Sequence, residues 1–279
     1  MSESATAPAA VNGVADAAPT LPPLYRQLEG LTAERHRALR LRDAGYGFAA
    51  AASAVPLAAE EFTIAARSLA IVFAAQAPHM PVALTGLTSG TNLFVDAGGA
   101  WKIGAYVPAY LRRYPFFLLR VAQDSDELAL CIDPGAPQVS DSAGEPLFTA
   151  DGKPAPQLER AFAFTKSVEE AMLRTRTMTQ RLAEFGLLKS SVVQFEQHGK
   201  PVRIDGFFAV DRPTLAALPP EQHGKPVRID GFFAVDRPTL AALPPEQLAE
   251  LRDNGWLEVI YAHLLSIGGI PDLARDISA

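Results

Sequence analysis

The segment from Leu84 to Leu119 carries the densest set of groups able to do chemistry: Trp101, Tyr106, Tyr110, Arg112, Arg113 and Tyr114 fall within fourteen residues. A guanidinium fork grips a carboxylate through paired hydrogen bonds and lies flat on an aromatic face. Tyr106, Tyr110, Arg112, Arg113 and Tyr114 are therefore the candidate binding residues, and a small anionic or aromatic ligand is what they would take. The same side chains also serve ordinary packing and surface pairing, and packing is the first reading of them. Asp96, beside Gly98 and Gly99, reads as a turn residue.

The other reactive residue types are sparse. Five histidines occur, at 36, 79, 198, 223 and 263, and none stands in an HExxH or HxH spacing, so no metal site is expected. His263, followed by Leu264 and Leu265, is expected to be a hydrogen-bonded structural histidine. Cys131 is the single cysteine, which rules out an intrachain disulfide. It lies in the apolar run Leu128 to Ile132 and reads as a small buried hydrophobe rather than a nucleophile. No GxGxxG, GxxxxGKS or GxSxG occurs, so no cofactor is expected, and catalytic residues cannot be assigned.

Charge narrows the partners. The formal net charge of −6 argues against nucleic acid, whose binders neutralise phosphates with Lys and Arg. Arg35, Arg37, Arg40 and Arg42 cluster, but Glu29, Glu34 and Asp43 surround them, which describes a solvated mixed-charge face. Residues 68–95 contain no Asp, Glu, Lys or Arg. Pro78, Pro81, Gly86 and Gly90 divide that run, so two buried strands are expected there and no membrane span. Residues 1–20 form an Ala/Pro-rich stretch, expected to be a disordered tail, without the basic and apolar regions of a secretory signal. A cytoplasmic location is the corresponding expectation, with the cell surface reached by a signal-peptide-independent route as the alternative.

The elements that must position these groups follow from pattern. Ala58 to Leu69 reads as a helix with Glu60 and Glu61 in its first turn. Strands are expected at 70–74, 81–87 and 92–95, with a Gly-rich turn leading to a fourth from Trp101. One or two helical turns precede Pro115. Two more strands, about 116–122 and 127–133, form a hairpin around Asp124 and Asp126. Residues 134–156 read as a long surface excursion. Gln157 to Phe185 is the longest helix, stopped by Gly186, or else two helices broken near Thr165 to Ser167. The C-terminal segment from Glu246 to Ile277 reads as helical across Gly255, with a final short helix from Pro271. Together these describe an α+β fold: a single domain over 21–279, with a mostly antiparallel or mixed sheet packed against a long helix and a C-terminal helical segment.

One feature fits no single-copy pattern. Residues 196–220 and 221–245 are identical letter for letter. Natural arrays need several units to bury a continuous core, and two identical copies do not make a solenoid. A recent tandem duplication or an assembly error is the expectation. Each copy holds a His-Gly-Lys-Pro turn, a strand running from Val to Val, and a short helical turn. The domain has one slot for that unit.

The run from Asn92 to Phe116 (NLFVDAGGAWKIGAYVPAYLRRYPF) resembles the bacterial SapC family of surface-layer gene clusters, distinct from the peptide-transport permease of the same name. So do AIVFA, PVALTGL and the terminal ELRDNGWLEVIYAHLLSIG. The resemblance covers about Leu21 to Leu273. It implies a noncatalytic protein associated with surface-layer or envelope processes, with other envelope or surface-layer proteins as partners. An alternative stands beside it: a cytoplasmic enzyme or accessory protein that binds a small anionic or aromatic ligand near Tyr106 to Tyr114.

Overall fold

The computed structural model describes residues 21–120, 128–190, 192–197, 200–205, 232–271 and 273. The N-terminal tail, the turn at Asp124, His198, His223 and most of the final short helix lie outside the described residues. The described residues form three antiparallel sheets, one hairpin and one long helix, an α+β arrangement.

The principal sheet has five strands in the order β10 (Leu188–Ser190), β13 (Phe232–Val235), β4 (Ala70–Ala74), β5 (Pro81–Leu84) and β3 (Ala54–Pro56), each antiparallel to its neighbours. β4 is central, and its residues Ala70 to Phe73 are all buried. A strand covered on both faces loses the alternation of a half-buried one and reads as a continuous apolar run. That is why the uncharged stretch from Ser68 is sheet core. No helix among the described residues is long and apolar enough to cross a membrane.

A second sheet orders β1 (Glu29–Gly30), β7 (Leu128–Ile132) and β6 (Phe116–Arg120), so the expected hairpin forms. A third places β2 (Arg40–Leu41) between β8 (Val139–Ser140) and β9 (Glu145–Pro146). The excursion after Ile132 is thus tied down at its middle. The basic cluster does that work too. Arg40 donates to the Gly144 carbonyl at 3.2 Å, Arg42 to Pro137 at 3.0 Å, and Arg37 to Ala150. Three of the four arginines on this solvent-facing, mixed-charge surface thus also hold a loop by its carbonyls.

The helices correct several expectations. After α1 (Ala33–His36), the predicted helix from Ala58 shrinks to a 3-10 turn and α2 (Phe62–Ala65). Residues 92–95 form no strand: Leu93 donates to Thr85, and a lone bridge joins Val95 to Trp101. α3 (Ala109–Arg112) is the short helix before Pro115. α4 (Pro156–Glu184) is one helix, and Gly186 at φ +68° follows its end. The Thr165 hydroxyl turns back to the Ala161 carbonyl at 2.7 Å, so the polar step there is absorbed within the helix. Past α5 (Arg237–Ala241), the C-terminal run is two helices, α6 (Pro245–Asp253) and α7 (Trp256–Ser266). Gly255 at φ +72° makes the break, a conformation that strains other residues.

The repeat is divided between its copies. β11 (Val192–Gln197) pairs with β12 (Lys200–Asp205), which comes from the first copy. β13, which fills the slot between β10 and β4, comes from the second. Phe232 is fully buried there. Among the described residues the first copy supplies β12, in the hairpin, and the second supplies β13, in the principal sheet.

Candidate functional site

The predicted residues gather where α3 meets β6 and α4, but most of them face the protein. Arg113 is 3% exposed. Its guanidinium lies 4.3 Å from the Tyr110 ring and 4.2 Å from the Phe117 ring, and its Nη1 donates to Glu169 of α4 at 3.1 Å. Flat stacking between two rings lets an arginine leave water while its charge stays opposed by a carboxylate. The Tyr110 hydroxyl donates to the Pro23 carbonyl at 2.9 Å. Burial, the main cause, pushes its pKa up to about 12 against the opposing pull of Arg113.

Two carboxylates missed by the sequence reading organise the rest. Asp133, with no exposed surface, accepts from the Tyr114 hydroxyl at 3.2 Å, the Arg26 amide at 2.9 Å and the Gly135 amide at 3.1 Å. Glu61 accepts through Oε1 from the Tyr106 hydroxyl at 2.9 Å and the Ala109 amide at 2.7 Å. Its Oε2 accepts from the Ala58 amide. One carboxylate thus joins the turn before α2 to the start of α3. Burial first, then Glu61, pushes Tyr106 up to about 12, so its phenol stays protonated and donates. Glu61 was legible only as a first-turn acid, because Tyr106 and Ala109 lie more than forty residues away.

Arg112 differs from its neighbour. It is exposed, donates to the Tyr106 hydroxyl at 3.1 Å, and lies 5.7 Å from the Tyr106 ring and 5.1 Å from the Phe164 ring. With Tyr114 it lines a cavity of about 580 Å³, together with Arg42, Tyr46, Phe48 and Gln138. Phe48 and Tyr114 stack there at 4.2 Å and 15°. Of the five predicted residues, Arg112 and Tyr114 reach this space; Tyr106, Tyr110 and Arg113 do not line it. Tyr46 and Phe48 carry no local sequence signal of a site, and pairing with Trp101 and Tyr114 is what makes them a wall.

The remaining reactive types are structural. Asp96 is a turn residue: its Oδ1 accepts from the Gly98 and Ala100 amides, both at 2.8 Å. Cys131 is buried, and desolvation pushes its thiol up, away from thiolate. His263 is fully buried between two backbone groups. Among the described residues, no cluster of His, Cys, Asp and Glu is placed to hold a metal ion.

The SapC sequence-family model matches residues 31–225 and again 220–273. The chain belongs to the SapC family. The two matches meet inside the doubled unit, and between them they take in α3, the cavity beside Arg112 and the C-terminal helices. Comparison with curated proteins and with solved structures finds no match to this SapC chain.

Proposed function

We propose that this SapC-family chain is a noncatalytic binding protein serving surface-layer assembly or a related envelope process. The observation that carries the noncatalytic part is the disposition of the arginine–tyrosine cluster. Tyr106, Tyr110, Arg113 and Tyr114 direct their polar atoms to carboxylates and carbonyls of the fold itself. Tyrosines whose pKa is raised by burial stay protonated at neutral pH and brace the structure rather than move protons. Family membership supports the envelope part. Fractionation of cells producing the native chain tests it: the protein is expected with envelope or surface material, and a purely cytosolic distribution would sink the reading.

A second reading rests on the cavity beside Arg112. Arg42 and Arg112 line a space walled by Tyr46 and Phe48, with Asp43 and Glu145 also on its lining; the aromatic walls suit a small aromatic ligand, and the two guanidinium groups can meet an anionic group on it. Thermal-shift measurements with a panel of anionic and aromatic metabolites are expected to raise the melting temperature of the wild type. Arg112→Ala is expected to lose that rise. A panel that shifts neither protein removes this second reading and leaves the first untouched.

A further inference from the structure

The cavity beside Arg112 carries charge of both signs. Arg42 and Asp43 follow the end of β2, and the β2–β9 pairing sets Glu145 opposite Leu41, one residue before them. Arg112 enters the same lining from α3. Two cations and two anions therefore share one concave space of about 580 Å³, within the roughly 300–1,000 Å³ of small-molecule sites. Burial pushes the Tyr46 phenol up, with Arg112 pulling it down and Asp43 pushing it up, so charges of opposite sign flank one ring of the wall.

None of the four charges neutralises another: among the described residues they form no ion pair. Each guanidinium is instead anchored through one nitrogen. Arg42 donates Nε to the Pro137 carbonyl at 3.0 Å, and Arg112 donates Nη2 to the Tyr106 hydroxyl at 3.1 Å, which Glu61 holds in turn at 2.9 Å. Arg42 keeps both terminal nitrogens, and Arg112 its Nη1, for a bound anion. Asp43 holds the Gly45 amide through Oδ1, and Glu145 makes no side-chain hydrogen bond among the described residues. Gln138 adds an observation independent of charge. It is 8% exposed and lines the cavity, its Nε2 donates to the Gly45 carbonyl at 3.2 Å, and its buried Oε1 has no partner. A buried acceptor without a donor is destabilising, and an N–H group on a bound molecule would satisfy it.

We infer that this cavity binds an aromatic zwitterion of the α-amino-acid type. Its carboxylate meets Arg42 and Arg112, its ammonium meets Asp43, Glu145 and the Gln138 Oε1, and its ring lies against Tyr46 and Phe48. The inference rests on the reading of this cavity as a ligand site and fixes the class of the ligand. A singly charged ligand would leave one pair of lining charges unmatched and bring its own charge beside like ones. A phosphate dianion would be repelled by Asp43 and Glu145. A zwitterion answers both signs at once, and the Phe48–Tyr114 stack gives its ring a preformed wall.

The test is titration calorimetry on the full chain with four probes: L-phenylalanine, its single-charge relatives 3-phenylpropanoate and phenethylamine, and L-alanine. Phenylalanine is expected to bind at least about tenfold more tightly than either relative, the worth of one charge-assisted contact, and alanine more weakly still. Asp43→Asn/Glu145→Gln keeps the oxygen that holds the Gly45 amide, so the wild-type circular-dichroism melt should persist. That variant should bring phenylalanine down to the affinity of 3-phenylpropanoate without weakening the latter. Arg112→Ala should weaken phenylalanine and 3-phenylpropanoate and spare phenethylamine. If 3-phenylpropanoate binds the wild type as tightly as phenylalanine, the zwitterion is overturned while an anionic or aromatic ligand site stands. Absence of phenylalanine binding at millimolar concentration also overturns it, and only a silent metabolite panel as well removes the ligand site itself. Alanine binding as tightly as phenylalanine, or phenylalanine binding indifferent to both variants, overturns the inference too.

Discussion

Removing one copy of the doubled unit is expected to raise the melting temperature of the protein by roughly 5–10 °C. Any twenty-five consecutive residues cut between 196 and 245 leave the same sequence, so the deletion is unambiguous. Register explains why the fold should accept it. Leu188 faces Val235, whose twin in the first copy is Val210, and Val192 faces Asp205. In a single-copy chain β10 would run four residues to Val192 while the return strand ran five, so the two pairings join as one long hairpin with a one-residue bulge. The twin glycines Gly206 and Gly231 fall in that gap, and glycine is common at bulges. The connection between Asp205 and Phe232 would shrink from twenty-six residues to one. Loop-closure entropy then favours the shorter chain by about 2–3 kcal/mol, and each kcal/mol is worth about 2–4 °C at this size. In that single-copy protein Phe232→Ala should cost about 3–5 kcal/mol in denaturant unfolding, because no second copy can supply the lost ring. A deletion variant that melts lower than the full chain, or precipitates, would show that both copies are needed for the native sheet.

The parts legible in the sequence were those set by local pattern. Ala70 to Ala74 and Phe116 to Arg120 are strands because their runs are apolar and rich in branched or aromatic side chains, and α4 is a helix because Leu158, Ala161, Val168, Ala171, Met178 and Leu182 recur at helical spacing. What failed depended on partners distant in the chain. Residues 92–95 have strand-like composition, yet their amides bond to Thr85 and the turn around Asn92 instead of a neighbouring strand. Arg37, Arg40 and Arg42 do face solvent beside Glu34 and Asp43, but their carbonyl partners, about a hundred residues on, are not legible locally. Within the candidate site, too, partners distant in the chain decide what each residue does. Arg112 and Arg113 are indistinguishable as a dipeptide, and only the direction each leaves α3 decides that one lines a cavity while the other is sealed between Tyr110 and Phe117.

Acidification from pH 6.5 to pH 4 is expected to remove about 3 kcal/mol of stability through His263 alone. The β4–β13 pairing sets Phe232 opposite Ala74 and Phe233 opposite Phe73, and continued it would bring Val235 to Ile71. The His263 ring enters at that point: the Val235 amide donates to Nε2 at 3.0 Å, and Nδ1 lies 2.9 Å from the Ile71 carbonyl. Those partners fix the tautomer, since Nε2 must accept and Nδ1 must carry the proton. The Ser266 hydroxyl, one turn on, takes the Ile71 amide at 2.9 Å, so α7 satisfies both polar groups of Ile71. A proton on Nε2 would meet an N–H donor and place a charge in a site with no exposed surface. Burial accordingly pushes the His263 pKa down to about 4, against the smaller opposing effect of the Ile71 carbonyl. Between that value and the unfolded value near 6.5 the unfolded chain binds more protons, so stability falls as pH falls through the window and is flat above it. Urea unfolding of wild type and His263→Gln at pH 7, 6, 5 and 4.5 isolates the effect. Glutamine keeps an acceptor and a donor but cannot titrate, and carboxylates such as Asp236, held low by Thr239 and then Lys189, contribute equally to both proteins. The difference between the two curves should narrow steadily below pH 6.5; a constant difference would mean that His263 does not carry the acid sensitivity.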